Sequence, residues 1–164
     1  MANGSTTTYS LVLPEVGAAA DQWGGLLNDN FDTIDDLLDG TTAIQPKVTQ
    51  LKESYATFTS TSNAATVDTS TGTVFAHTLT ENTTLTFSNP PATGTAYGMT
   101  VKIVQDASAS GYTVTWPASV DWPAATAPTL TATASAVDVF VFITHDGGTT
   151  WLGFTAGQAI GTPA

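Results

Sequence analysis

The stretch DQWGGLLNDNFDTIDDLLDG, residues 21–40, is the one segment whose apolar residues recur at a sustained helical period. Four of them are spaced four, three and four apart: Leu27, Phe31, Ile34 and Leu38. This is the heptad spacing of a narrow stripe along one side of a helix, and Trp23 extends the stripe by a turn. The segment therefore predicts an amphipathic helix over residues 22–39.

Aspartates fall mainly on the other faces of this predicted helix. Asp21 can serve as its N-cap, and Gly40 can end it because glycine adopts positive φ. The downstream sequence reads as β-structure and offers no obvious cover for the apolar stripe. A helix of this length needs tertiary packing to be stable in water, so we expect the stripe to pack against another chain or another protein.

A second, shorter heptad follows at Ile44, Val48, Leu51, Tyr55 and Phe58. A proline at its start can occupy the first helical position, where its missing N–H is not needed, so we predict a short helix over residues 46–54. Two arrangements of the two helices remain open, a helical hairpin packed on a domain and an oligomeric stalk. The predicted docking and oligomerisation residues are Trp23, Leu27, Phe31, Ile34, Leu38, Val48 and Leu51.

From residue 57 the hydrophobic pattern changes to period two, which is typical of strands with one buried face. We predict strands over residues 55–60, 73–80, 83–88, 97–105, 112–116, 128–134, 137–145 and 150–155. Residues 137–143 are apolar on both faces, which favours a central strand, and the Asp146-Gly147-Gly148 turn that follows is a strong hairpin signal.

The regular spacing of these strands and of Gly and Pro turns predicts a mainly β protein. Its C-terminal domain is predicted to be an antiparallel β-sandwich, jelly-roll-like, preceded by an extended arm and two short helices. The predicted regions are an extended N-terminal arm over 1–20, a helical attachment and oligomerisation segment over 21–56, and the β-sandwich domain over 57–164.

The charge of the chain excludes several classes of partner. Its 164 residues include fourteen acidic and three basic side chains, which gives a formal net charge of −11. So few cations argue against binding to nucleic acid and to anionic membrane surfaces. We expect no targeting segment and no membrane span, because no apolar run is long enough.

Residues suited to catalysis or metal binding are sparse. The chain has no cysteine, and its two histidines, His77 and His145, have no recognised set of zinc ligands around them. The aspartates of residues 28–32 lack the glycine and terminal glutamate of a calcium-binding EF-hand loop, and no nucleophile signature such as G-x-S-x-G is present. We therefore expect no enzyme activity, no metal and no cofactor.

Two tryptophans stand close together in the segment WPASVDWP, residues 116–123. Trp116 and Trp122, each followed by proline, could form a rigid aromatic platform that recognises a sugar or another protein. The alternative is that they close one end of the sandwich. Both interpretations follow from the same residues.

Two parts of the chain resemble virion proteins of tailed bacteriophages. The pattern LP…G…DxWG…LNxNFxxID in residues 13–35 looks like the N-terminal segments of such proteins, tail-fibre-like proteins among them. The run TVFAHTLTENTTLTFSNPPATGTAYGMTVKIVQDASASGYTVTWPASVDWP, with THDGGTTWLGFTAG near the C-terminus, resembles a β-domain that recurs in them. The resemblance implies a non-enzymatic structural subunit, often trimeric, whose N-terminus docks on the particle and whose β-domain points outward.

These observations lead to one main hypothesis and two alternatives. The chain is expected to be a trimeric short fibre-like appendage of the virion, with other virion proteins of the tail, neck or capsid and possible host-surface glycans as partners. Because the sequence shows no repetitive shaft, a capsid decoration or cement protein is an alternative comparable to the short fibre. A carbohydrate-binding module using Trp116 and Trp122 is the alternative of a different class.

Overall fold

The computed structural model describes residues 4–5, 11–13, 21–39, 50 and 52–161. The chain divides into two units, Met1–Leu51 and Lys52–Ala164. In the first unit, strands β1 (Gly4–Ser5) and β2 (Val12–Leu13) pair antiparallel, and helix α1 spans Trp23–Asp39. The helix predicted over residues 22–39 is confirmed to within one residue.

The second predicted helix is only partly covered by the described residues. Most of it, including Val48 and Leu51, lies outside them. Residues 50 and 52–54 are described and are not helical, so the prediction of a helix reaching residue 54 is wrong at that end. Tyr55, a position of the predicted heptad, instead begins a strand over residues 55–57, which pairs in parallel with residues 74–76.

In its described residues, 52–161, the second unit contains nine strands. They are β3 (Tyr55–Thr57), β4 (Ala64–Asp68), β5 (Val74–Thr78), β6 (Thr83–Ser88), β7 (Tyr97–Val104), β8 (Val114–Thr115), β9 (Val120–Asp121), β10 (Val137–Thr144) and β11 (Trp151–Ile160). Single 3₁₀ turns follow β4, at Thr69–Thr71, and β9, at Pro123–Ala125. Seven of the eight predicted strands have a counterpart, whereas β4 and β9 were not predicted.

The predicted strand over residues 128–134 is wrong, and a buried carboxylate explains why. The backbone N–H of Thr131 donates to Asp138 Oδ2 at 2.7 Å, and the Thr131 hydroxyl donates to Asp138 Oδ1 at 2.8 Å. Asp138 is 2% exposed, so this side chain holds the segment from within the domain. The Thr131 N–H is thereby satisfied by a side chain rather than by a strand ladder.

Two sheets organise the strands, one of six in the order β3-β5-β7-β10-β11-β9 and one of three in the order β4-β6-β8. From β3 to β8, consecutive strands alternate between the two sheets, and each pairs in parallel with the strand two places earlier. Only β7–β10 and β10–β11 are antiparallel in these two sheets. The prediction of a mainly β fold is confirmed, and the prediction of an antiparallel arrangement is wrong.

The physical reason for this error lies in the connections. Parallel neighbours need a crossover, and here each crossover contains a strand of the other sheet. A corner that sends the chain from one sheet to the other uses the same Gly, Pro, Asn and Ser residues as a hairpin. Strand and turn signals alone therefore do not distinguish the two topologies.

One predicted hairpin is present, between β10 and β11. Gly147 and Gly148 have φ of 72° and 76°, the left-handed region that favours glycine. Asp146 Oδ1 accepts the Thr150 N–H at 3.0 Å and the Thr144 hydroxyl at 2.9 Å. The turn sequence therefore fixes the antiparallel register of the two strands.

Both sheets contribute to one hydrophobic core. Phe140 and Phe142 of β10 are fully buried, and Phe87 of β6 packs edge-on against Phe142, with ring centroids 5.1 Å apart. Phe87 also contacts Trp151 of β11 at 5.2 Å. The prediction that β10 is central is confirmed, since it lies between β7 and β11.

Because this core is built wholly from the second unit, a fragment of residues 52–161 should fold by itself. We expect it to melt cooperatively and to retain near-UV circular dichroism from its buried aromatic rings. In the same fragment, Phe140→Ala should lower the free energy of unfolding by about 3–5 kcal/mol, because it leaves a cavity. A fragment without a cooperative transition would show that the first unit completes the core.

Candidate functional site

The predicted stripe on α1 is exposed along its described length. The exposed fractions are 43% for Trp23, 48% for Leu27, 59% for Phe31 and 37% for Ile34. These four residues are called the seam stripe below. The side chain of Leu38, the last predicted position on this helix, lies outside the described part of the chain.

A different face of α1 contacts strand β2. Asn30 is half-buried, and its side-chain amide forms two hydrogen bonds with one residue of β2. The Val12 N–H donates to Asn30 Oδ1 at 2.8 Å, and Asn30 Nδ2 donates to the Val12 carbonyl at 3.0 Å. The carboxamide thus replaces the backbone of a neighbouring strand and fixes β2 on the helix.

This contact explains why the seam stripe stays uncovered by β2. Leu26, Asn30 and Thr33 are the half-buried positions of the helix, and their spacing of four and three places them on one face. The seam stripe occupies the adjacent positions. The role of Asn30 is not predicted from the sequence, where the only signal is a polar residue on the same helical face as Leu26.

The polar surface of α1 carries only negative charge. Asp29, Asp32, Asp35 and Asp36 are exposed, and the helix contains no basic residue. The seam stripe is therefore an apolar surface with an acidic border. A protein that covers it needs a basic rim, or it must leave these carboxylates in water.

In the second unit, Trp116 and Trp122 lie together at one end of the core, as their proximity in sequence suggested. Their ring centroids are 5.4 Å apart, and both rings contact Phe140, at 4.9 Å for Trp116 and 6.0 Å for Trp122. A Cβ at Gly153 would lie 3.0 Å from Trp122 Cε3, so glycine is needed for this ring to lie on β11.

The exposed edges of both tryptophans line a groove of about 410 Å³. Trp116 also lines a second groove of about 490 Å³ beside the three-stranded sheet. Its indole N–H is buried without a hydrogen-bond partner, which carries a free-energy cost. The pair therefore packs on the core and also borders open surface, so both the plug and the platform stay as predictions.

The two histidines lie in different surroundings. His77 is 3% exposed, its Nδ1 is 2.9 Å from the Phe58 carbonyl, and its ring stacks on Phe58. His145 is exposed. Across the described ranges, no three or more His, Asp or Glu side chains are grouped to hold a metal ion. Within the same ranges, no helix combines the length and apolar character that crossing a membrane requires.

Aspartates at the turns of the second unit stabilise loops. The Ser70 hydroxyl and the Asn89 amide donate to Asp68 Oδ1 at 2.7 and 2.9 Å, and these bonds lower the pKa of Asp68. Burial raises the pKa of Asp106, but hydrogen bonds from Ser110 and Ser108 outweigh it and lower the pKa overall. These carboxylates favour their charged form and are structural.

The search for relatives adds no functional assignment. Comparison with family models, with curated proteins and with solved structures gives no match. The function is therefore inferred from the seam stripe, the contact between Asn30 and β2, and the surfaces of the second unit.

The Asn30 contact predicts a measurable protection of β2. Asn30→Ala removes both hydrogen bonds, which should cost about 1–3 kcal/mol locally and speed hydrogen exchange at the Val12 amide. Asn30→Asp is the matched variant, because it keeps the acceptor and loses the donor to the Val12 carbonyl, so exchange should be intermediate. Equal exchange in the wild type and the alanine variant would show that β2 is held by other contacts.

The lowered pKa of Asp68 predicts a pH dependence of stability. The pKa of Asp68 in the folded chain lies below its usual range, so its contribution to stability is complete above about pH 5 and is lost as the pH falls through the folded pKa. Ser70→Ala removes the largest cause and should raise the pKa of Asp68, measured by NMR titration of its carboxyl carbon. It should also make the loss of stability in acid shallower. An unchanged titration would show that Ser70 does not stabilise the carboxylate.

Proposed function

We propose that this chain is a structural, non-enzymatic subunit of a tailed-phage particle, a trimeric short fibre-like appendage of the virion. Its N-terminal region anchors it and its β-domain is exposed. The observation that carries the proposal is the seam stripe: four large apolar side chains, three of them at heptad positions, exposed along α1 and bordered by carboxylates.

The exposure of the seam stripe to water favours assembly. Burying a large apolar side chain is worth roughly 1.5–3 kcal/mol, and an isolated helix of this length is marginal in water. Association of stripes from several copies would supply the missing packing, as in a short coiled coil. The number three comes from the resemblance to phage proteins, because mixed Trp, Leu, Phe and Ile positions do not determine it.

The contact of β2 with α1 supports an anchoring role for the N-terminal region. The hydrogen bonds of Asn30 hold Val12 against the helix, and Leu13 beside it is 53% exposed. We propose that residues 1–20, in which β1 and β2 pair antiparallel, form an arm which, with the helix, contacts another virion protein of the tail, neck or capsid. An acidic border on α1 suits a partner with a basic rim, where exposed charge pairs set orientation more than affinity.

The β-domain is proposed to be a two-layered, sandwich-like module that is exposed on the particle. Support comes from the single core shared by the six-stranded and three-stranded sheets. The edges of Trp116 and Trp122 on open grooves favour one second candidate, recognition of a carbohydrate on the host surface. In that case glycan binding would be lost on Trp122→Ala without loss of assembly.

The test of the main proposal removes the seam stripe. Trp23→Ala with Phe31→Asp should abolish the trimer, so that light scattering coupled to size exclusion gives a smaller mass than for the wild-type chain, and should leave the melting of the second unit unchanged. The double variant should also be absent from assembled particles. Each substituted side chain removes roughly 1.5–3 kcal/mol of apolar burial per copy.

Asp35→Asn with Asp36→Asn is the matched control, since it changes the same helix without touching the stripe. This variant should remain an oligomer. A wild-type chain that is monomeric at micromolar concentration, or a stripe variant incorporated at normal occupancy, would contradict the proposal.

A further inference from the structure

The six-stranded sheet has a second apolar face, on the side away from the core. Within the described residues, its most exposed large apolar side chains are Tyr55, Ile143, Leu152, Phe154 and Ile160, at 60%, 40%, 40%, 44% and 48%. Three half-buried valines of β10 lie among them, at positions 137, 139 and 141. This set of residues is called the outer sheet face.

Strand register shows that these side chains share one face. Ile143 is paired with Leu152, and Val141 with Phe154. Directly paired residues project to the same side of a sheet, and Phe140 and Phe142, which alternate with them on β10, project into the core. The outer sheet face is therefore continuous across β10 and β11.

This apolar surface is comparable in size to the largest apolar patch of a typical monomer, and such patches are often functional. With side-chain areas of about 150–250 Å² for its aromatic members, the exposed fractions of its five largest residues leave on the order of 500 Å² open to water. Apolar patches on monomers seldom exceed a few hundred Å², and stable interfaces bury about 800 Å² per partner. The outer sheet face supplies more than half of one side of such an interface.

Two charged residues lie on the outer sheet face, and they have opposite signs. Lys102 projects outward from β7, paired with Val139, and Asp121 projects outward from β9, paired with Leu152. Three strand spacings separate β7 from β9, which is about 14 Å before any offset along the strands. The two side chains are therefore too far apart to form an ion pair within one chain.

We propose that the outer sheet face packs on the same face of a second copy of this chain. A two-fold axis in the plane of the interface, midway between Lys102 and Asp121, brings each of these residues opposite the other in the partner copy. The face is then complementary to itself in charge as well as in apolar character, which is the requirement of an isologous interface.

The charge of the chain selects this face over the others. Two copies with a net charge of −11 each repel one another, and like charges at close range disfavour association. The outer sheet face has one positive and one negative side chain, so it can meet its own copy without that repulsion. Sheets stacked face to face lie about 10 Å apart with interdigitated side chains. The outward apolar side chains of β10 and β11 can interdigitate in this way with those of the second copy.

The test uses the full chain carrying Trp23→Ala and Phe31→Asp, so that association through α1 is removed. Sedimentation velocity should still show reversible dimers. Adding Ile143→Thr and Phe154→Thr, which keep strand propensity, should raise the dissociation constant about 100-fold or more. Near-UV circular dichroism checks that the core of this variant is intact.

Charge reversal gives the specific readout. Lys102→Asp and Asp121→Lys, made in separate chains, should each weaken dimers, because each places like charges opposite one another. An equimolar mixture should restore association, since every charged contact in the mixed dimer is again between opposite signs. This restoration does not occur if the two residues have only a structural role within their own chain.

Several results would overturn the proposal. A strict monomer at every concentration would show that the face is not a self-association surface. Two weakened variants that are not restored on mixing would point to a different occupant of the face. Neither result depends on the fibre-like function, which fails separately if the wild-type chain and the α1 variant have the same mass.

Discussion

The packing of two phenylalanines of β10 between the sheets is the contact on which the second unit depends. Phe140 and Phe142 are fully buried, and three rings from two other parts of the chain contact them. Phe87 contacts Phe142 from the three-stranded sheet. Trp116 and Trp122 contact both phenylalanines from the segment between β8 and the 3₁₀ turn at Pro123–Ala125. A single strand thereby joins the parallel strands before it to the hairpin after it.

The sequence predicts those features that depend on neighbouring residues. The heptad of α1, the strand alternation of β6, β7 and β10, and the Asp146-Gly147-Gly148 turn were all readable from short windows, because their signals are local. Strand pairing is not local. Period two shows which side chains are buried but does not choose the neighbouring strand, and so the parallel ladders of β3, β5 and β7 were not found.

The same distinction applies to polar contacts. Asp138 accepts hydrogen bonds from Thr131 N–H and, at 2.9 Å, from Ala159 N–H, and so it joins residues 28 positions apart in sequence. The bond between Asn30 and Val12 spans 18 positions. In the candidate site, the seam stripe could be predicted because helical spacing defines it, whereas the contact that leaves it uncovered could not.

The seam stripe and the outer sheet face are apolar surfaces on a strongly acidic chain. Sparse cations and a net charge of −11 make most random encounters between copies repulsive. The two proposed contacts avoid facing carboxylates: the aspartates beside the seam stripe can remain on the outside, and on the outer sheet face Lys102 would lie opposite Asp121 of the second copy. We therefore expect the acidity to disfavour other geometries of association, and the apolar area at those two places would supply its free energy. If both contacts form, the threefold association of the helices and the twofold association of the sheets are independent, and the order of assembly follows from their relative strengths.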